Sequence, residues 1–201
     1  ASLIENSHLD PQVVKEIIEE SGIEASDIDE VIVGNVLPAG QMQGVARQIS
    51  IKGGVPVEVP ACGVNMVCGS GMKTVMNAYT SIALGLANMI IAGGAESMSS
   101  TPFLLPQTVR SGNKLGDLKA EDGILKDALT DAFDNFHMGI TAENIAERYN
   151  ISREEQDGFA YESQVRAIRA IDEGKFVDEI TPIEVKSRRE TIVFTEDEHP
   201  N

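Results

Sequence analysis

Apolar residues recur along this chain in two rhythms, and their alternation is the first structural signal. Val13, Val14, Ile17 and Ile18 return at helical spacing after Asp10, a natural N-cap, and Pro11 at the first helical position; Gly22 closes the run. Glu30-Val31-Ile32-Val33-Gly34-Asn35-Val36 is dense in β-branched residues and predicts a buried strand. Residues 45–52 read as a second helix ended by Gly53-Gly54, and residues 57–65 as extended chain interrupted by prolines. Over residues 70–84, Met72, Val75, Met76, Ala78, Ile82 and Ala83 cover most faces of a helix, which predicts that this helix is buried. Met89-Ile90-Ile91-Ala92 predicts a short buried strand that runs into Gly93-Gly94-Ala95-Glu96-Ser97. Strands alternating with helices predict a layered α/β fold.

After Ser99 the pattern changes. Residues 99–127 are rich in Gly, Pro, Ser and charge without a sustained period, and read as an excursion. Residues 141–149 predict a helix. Ser152-Arg153-Glu154-Glu155 is a capping box that opens another, reaching Gly174. Residues 183–187 and 191–194 predict two strands around a turn. The chain therefore divides into a core segment, residues 1–98, and a helix-rich segment, residues 99–201, with no internal repeat and no low-complexity tract.

Composition narrows the class. The 201 residues are 42% hydrophobic and include 18 glycines, as expected of a globular α/β protein with many tight turns. A net charge of −16 argues against nucleic acid, and an anionic substrate would have to be caught by local donors. No apolar run is long enough for a bilayer, and the start is unlike a signal peptide. Two cysteines, Cys62 and Cys68, make no disulfide framework, so a reducing cytoplasm is the expected compartment. There is no initiator Met and no strand ahead of the first helix, so the chain is expected to be a piece of a longer protein.

Cys68 carries the candidate chemistry. It sits between an extended run and a helix, where unpaired N–H groups and the helix dipole favour a thiolate, and Gly69, Ser70 and Gly71 leave room for a substrate. A thiol of pKa about 8.5 is only about 3% thiolate at pH 7. A helix N-terminus adds roughly 0.3–2 kcal/mol, so full activation also wants a base, commonly His. From spacing alone, a structural cysteine packed into a tight turn stands beside this reading.

Val64-Asn65-Met66-Val67-Cys68-Gly69-Ser70-Gly71-Met72-Lys73 resembles the acyl-enzyme motif of thiolases. Gly34-Asn35-Val36-Leu37, Ala46-Arg47-Gln48, Val57-Glu58-Val59-Pro60-Ala61 and Ala92-Gly93-Gly94-Ala95-Glu96-Ser97-Met98-Ser99 resemble thiolase segments in the family's order. So do His137-Met138-Gly139-Ile140-Thr141-Ala142-Glu143-Asn144 and Ser152-Arg153-Glu154-Glu155-Gln156-Asp157. The resemblance covers essentially the whole chain. It implies the first half of a thiolase-type α/β/α core with an inserted loop domain that contacts coenzyme A and helps form a homo-oligomer, a dimer or tetramer. It further implies that Cys68 takes an acyl group from an acyl-CoA, with its own N–H in an oxyanion hole. No cofactor beyond the CoA thioester substrates is implied.

By the same resemblance, His137 and Met138 line the acyl and pantetheine pocket, as in short-chain members. From sequence alone, a lone His beside Phe136 and Met138 is more often a packed or surface residue; the resemblance is what reverses that reading. Cys62 reads as a small buried strand residue. Lys186, Arg188 and Arg189 form the one basic cluster, either a solvated turn or a contact for CoA phosphates. Gly93 and Gly94 lack the spacing of a phosphate loop and read as close packing, and no metal-ligand spacing exists. The family's base histidine and second cysteine have no counterpart here, Gly63 stands where Thr is common, and Asn201 falls near a family Arg. A decarboxylating ketoacyl synthase and a catalytically silent fragment are the alternative readings; the His-Met-Gly-x-Thr-Ala-Glu-Asn segment speaks against the first.

Overall fold

The computed structural model describes residues 6–186 and 190–200, which fall into two compact units divided between Leu129 and Thr130. The change of composition at Ser99 thus lies inside the first unit.

The first unit is built on a parallel sheet in the order β2-β1-β3, formed by Ala61–Val64, Glu30–Gly34 and Ile90–Gly94. β1 holds the centre, and Val31, Ile32 and Val33 are all buried because both faces are covered. Alternation along the strand sends Val31 and Val33 to one face, where they join Val14, Ile28, Ala46, Ile49, Val55 and Val59 in the core cluster. That face carries α1 (Asn6–Ser21) and α2 (Val45–Lys52). Gly34 turns to the opposite face, toward α3 (Ser70–Ala83): a Cβ there would lie 2.7 Å from the Ser70 carbonyl carbon. Only glycine lets α3 start so close to the end of β1. Helix, sheet and helix layers result, as the alternating pattern predicts.

Several elements depart from the sequence reading. α1 begins at Asn6, ahead of the expected Asp10 cap, with Pro11 inside it; the fixed φ of proline suits a helix, and only one backbone bond is lost. Strand pairing in the third segment is confined to Ala61–Val64, because Pro56 and Val59 close a turn before it. α3 is not buried all round. Ser70, Thr74 and Ala78 are its buried positions, facing the sheet, whereas Met72, Val75, Met76 and Tyr79 are exposed. The sheet covers one stripe of the helix and leaves its other apolar positions exposed among the described residues of the first unit. Cys62 is exposed as well, because β2 is an edge of the sheet.

The excursion folds as short pieces. Phe103–Leu104 (β4) pairs with Glu121–Asp122 (β5), and a 3-10 turn covers Gln107–Ser111. The second unit holds α4 (Met138–Tyr149), α5 (Arg153–Asp172) and the antiparallel pair of β6 (Ile183–Lys186) and β7 (Thr191–Phe194). α4 starts three residues earlier than the sequence pattern suggests, because His137 caps it and outweighs the poor helix propensity of Gly139. The capping box at Ser152 and Glu155 forms as expected. No helix among the described residues is long and apolar enough to cross a membrane.

Candidate active site

The three parallel strands all end on one edge of the sheet, and the segments that leave them, 35–37, 65–69 and 95–97, are fastened to one another. Ala95 N–H donates to the Gly34 carbonyl at 2.9 Å, and Asn35 N–H donates to the Val64 carbonyl at 3.1 Å. The Glu96 carboxylate accepts from Val36 N–H at 2.7 Å, Leu37 N–H at 3.0 Å and the Asn35 amide at 3.0 Å. Asn35 also donates to the Ala95 carbonyl at 2.9 Å. In parallel α/β sheets this carboxyl edge is where ligands are ordinarily received.

Cys68 stands on that edge. It is exposed, and it lies between Val67, whose φ is +49°, and Gly69, the residue that precedes α3. A β-branched residue in the left-handed region is a steric outlier and needs support. Val67 has it on both sides. Its N–H donates to the Asn65 side-chain oxygen at 3.0 Å, and its carbonyl accepts from Ser70 N–H at 3.0 Å and from the Ser70 hydroxyl. The Ser70 hydroxyl in turn accepts from Met66 N–H at 2.9 Å. The result is a tight strand-turn-helix elbow that presents the Cys68 thiol at the mouth of α3.

The small residues after Cys68 do different jobs. Nothing approaches a Cβ placed on Gly71, so that position is open to an incoming molecule. Ser70 is buried and fastens the turn, so it is not the free space that its size suggests in the sequence. Thr74, fully buried, donates toward the Gly71 and Gly93 carbonyls at 2.7 and 3.1 Å and ties α3 to β3. Gly94 packs against Gly34 and Gly71 as expected, whereas Gly93 has open space where a side chain would be.

Cys62 is tuned away from nucleophilic work. Partial desolvation pushes its thiol up, and the nearby Glu30 carboxylate adds to the effect, both by its charge and by accepting the thiol hydrogen at 3.6 Å. Both causes favour the neutral thiol.

His137 and Met138 belong to the second unit, and Cys68 to the first. His137 is exposed and caps α4: its Nδ1 accepts from Gly139 N–H at 3.0 Å. An accepting Nδ1 assigns the hydrogen of the neutral ring to Nε2, which makes Nε2 a donor. Met138 is half exposed at the start of the same helix. The cluster of Lys186, Arg188 and Arg189 lies outside the described residues where its side chains are concerned.

Sequence reasoning quoted Asn35, Asn65 and Glu96 within motifs but gave them no role. In the structure each is a polar residue one or two positions past the end of a parallel strand, where an α/β sheet builds its site; the strand runs legible in the sequence took in Asn35 and Asn65 and stopped four residues short of Glu96, so that position was hidden.

This α/β edge with its cysteine elbow has clear relatives. Residues 2–201 match the family model described as Thiolase, N-terminal domain. The chain belongs to the thiolase family. It is 49% identical over 189 residues to an acetyl-CoA acetyltransferase of Pseudomonas aeruginosa, covering 94% of this chain and 48% of that protein. It is 51% identical over 187 residues to a probable acetyl-CoA acyltransferase of Staphylococcus aureus, covering 92% and 47% respectively. Among solved structures, the Bacillus anthracis acetyl-CoA acetyltransferase superposes with a TM-score of 0.93 at 37% identity, covering 99% of this chain and 50% of that one. The chain thus spans about half the length of the curated relatives it matches.

Proposed function

We propose that the protein carrying this chain transfers acyl groups between coenzyme A thioesters through an S-acyl intermediate on Cys68. In its simplest form the reaction joins two acetyl-CoA into acetoacetyl-CoA and free CoA, or runs in reverse. The observation that carries this reading is the exposed Cys68 on a fastened elbow at the carboxyl edge of a thiolase-family sheet.

The chemistry balances without a redox step. The Cys68 thiolate attacks the acyl carbonyl, a new carbon–sulfur bond forms, and the bond to the CoA sulfur breaks with CoA leaving as a thiolate. A second acetyl-CoA, deprotonated at its α-carbon, then attacks the Cys68 thioester and expels the Cys68 thiolate. One thioester replaces another in the first step, so its equilibrium is nearly balanced and catalysis rests on the barrier. A fixed N–H donor at the developing oxyanion contributes about 3–4 kcal/mol, and by family resemblance the N–H of Cys68 is such a donor.

The group that removes the α-proton is assigned, by the same resemblance, to the family's second half. The 201 residues alone are therefore expected to accept an acyl group without sustained turnover. His137 Nε2–H and Met138 are proposed to contact the acyl and pantetheine portion. Selectivity of about 1–3 kcal/mol per methylene is what such a wall supplies. A homo-oligomer and a cytoplasmic location belong to the same proposal.

The test is mass spectrometry after incubation with acetyl-CoA. The acetyl group is expected on the peptide holding Cys68 and absent in Cys68→Ala; acetylation that persists in this variant removes the proposal.

A further inference from the structure

We propose that Asn65 is a positioning residue that aims the Cys68 N–H, an inference that rests on the acyl-transfer reading above. Glu96 begins the chain of contacts. Its carboxylate holds Val36 N–H at 2.7 Å and Leu37 N–H at 3.0 Å, fixing the segment after β1. The Val36 carbonyl, held in this way, accepts from the Asn65 amide nitrogen at 3.3 Å. That bond orients the Asn65 side chain so that its oxygen meets Val67 N–H at 3.0 Å. Three strand ends are thereby joined, and the last member of the relay is the residue before the nucleophile.

The consequence follows from peptide geometry. The Val67 carbonyl and the Cys68 N–H belong to one planar unit and point in opposite directions. Ser70 pins that carbonyl with its N–H and its hydroxyl. Asn65 pins the N–H on the other side of Val67, so both peptide planes around the φ of +49° are held. With the two planes fixed, the Cys68 N–H is aimed away from Ser70 and cannot swing. Without Asn65, Val67 is free to relax toward negative φ, which its branched side chain prefers, and the Cys68 N–H turns with it.

Two reactions of the same sulfur separate this role from general damage. Alkylation by iodoacetamide needs the thiolate but no oxyanion donor, whereas acylation by acetyl-CoA needs both. In the full-length protein, Asn65→Ala is expected to slow single-turnover acetylation of Cys68 by roughly 100-fold, the usual effect of losing one oxyanion donor. Its Cys68-to-Cys62 alkylation ratio should stay within about threefold of the unmodified protein, because the thiol remains at the helix mouth. Adding Val67→Gly to that variant should recover at least about tenfold in acetylation, since glycine adopts the left-handed conformation unsupported.

Acetylation of Asn65→Ala at the unmodified rate overturns the inference. So does an equal fall in alkylation and acetylation, or a double variant that regains nothing. If the unmodified protein itself takes no acetyl group on Cys68, the acyl-transfer reading fails first and this inference falls with it.

Discussion

The two units hold themselves together by different means. In the first, β1 is buried on both faces, and residues far apart in sequence, from Val14 to Val59, share one core. In the second, neither α4 nor α5 has a buried residue, and Val185 of the hairpin is the buried hydrophobic position among those described. Its helices are instead marked by local devices. His137 and Ser152 cap the N-termini, and Asn150 closes α4 in the left-handed region. Arg153–Asp157 and Arg166–Glu162 pair along α5 at i,i+4 spacing. The first unit is specified by packing and the second by helix ends. The proposed roles follow the same division: Cys68, the proposed nucleophile, stands where three strand ends are tied together, and His137, the proposed substrate contact, caps a helix terminus.

The sharpest separation is chemical. Cys68→Ala should remove acetyl incorporation altogether, whereas His137→Ala should leave the acyl-enzyme forming and change mainly how strongly and how selectively acyl-CoA is held, by roughly tenfold. Intact-mass kinetics with acetyl-CoA and a longer acyl-CoA measure both. Equal loss in the two variants would erase the division between a reacting unit and a contacting one.

Stability should divide along the same line. Ile28→Ala empties a site that is 2% exposed and should cost about 2–5 kcal/mol. Phe159→Ala removes a larger side chain but one 81% exposed, and should stay within about 0.5 kcal/mol. Gly34→Ala sits between them: its Cβ meets Ser70 and Gly71 backbone below 3.0 Å, so about 1–3 kcal/mol is expected, together with slower acetylation as the elbow is pushed away. Urea unfolding followed by hydrogen exchange in each unit reads all three. A Phe159→Ala cost matching that of Ile28→Ala would show the second unit to be packed after all.

The contrast also explains what could be read from the sequence. β1, β3, α2 and the capping box were legible because each is announced within a few residues, by a β-branched run, a Gly-Gly stop or a Ser-x-x-Glu spacing. The thiolase resemblance singled out Cys68 as the candidate nucleophile. What escaped was set by partners distant in sequence. The run from Met72 to Ile82 gives no hint that a three-stranded sheet covers one stripe only, so burial of α3 was overestimated. Cys62 looked like a core residue because its neighbours are apolar, but strand order puts β2 on an edge. Glu96 reads as one more acid in an acidic chain until the fold sets it 2.7 Å from Val36 N–H, sixty residues earlier. α4 was begun late because Gly139 weakens the helix signal, and a histidine cap is not among the usual Ser, Thr, Asp and Asn cues.

A smaller effect is expected at the cap of α5. Ser152→Ala deletes the acceptor for Glu155 N–H at 3.2 Å and leaves the reciprocal bond from Ser152 N–H to the Glu155 carboxylate, so about 1 kcal/mol is expected. Because the second unit depends on its helix ends, the loss should show as faster amide exchange in the first turn of α5, with the first unit's exchange unchanged.

The smallest effect is one of pH, and it compares the two cysteines of a single unit. Desolvation and the Glu30 carboxylate both disfavour the Cys62 thiolate, so the folded state holds that proton more tightly than the unfolded chain does. The sign follows from linkage. A thiol whose folded pKa is raised contributes stability below its unfolded value of about 8.5, and the contribution is lost as pH rises through that range. Unfolding midpoints should therefore fall slightly above that pH, and Cys62→Ser should flatten the fall. In the same range Cys62 should alkylate more slowly than Cys68. Glu30→Gln should speed it by roughly two- to fivefold, because the carboxylate's share is removed while desolvation, the larger cause, persists. If Glu30→Gln instead brings Cys62 to the rate of an unhindered thiol, the carboxylate is the dominant cause, and the ordering of the two influences has to be reversed.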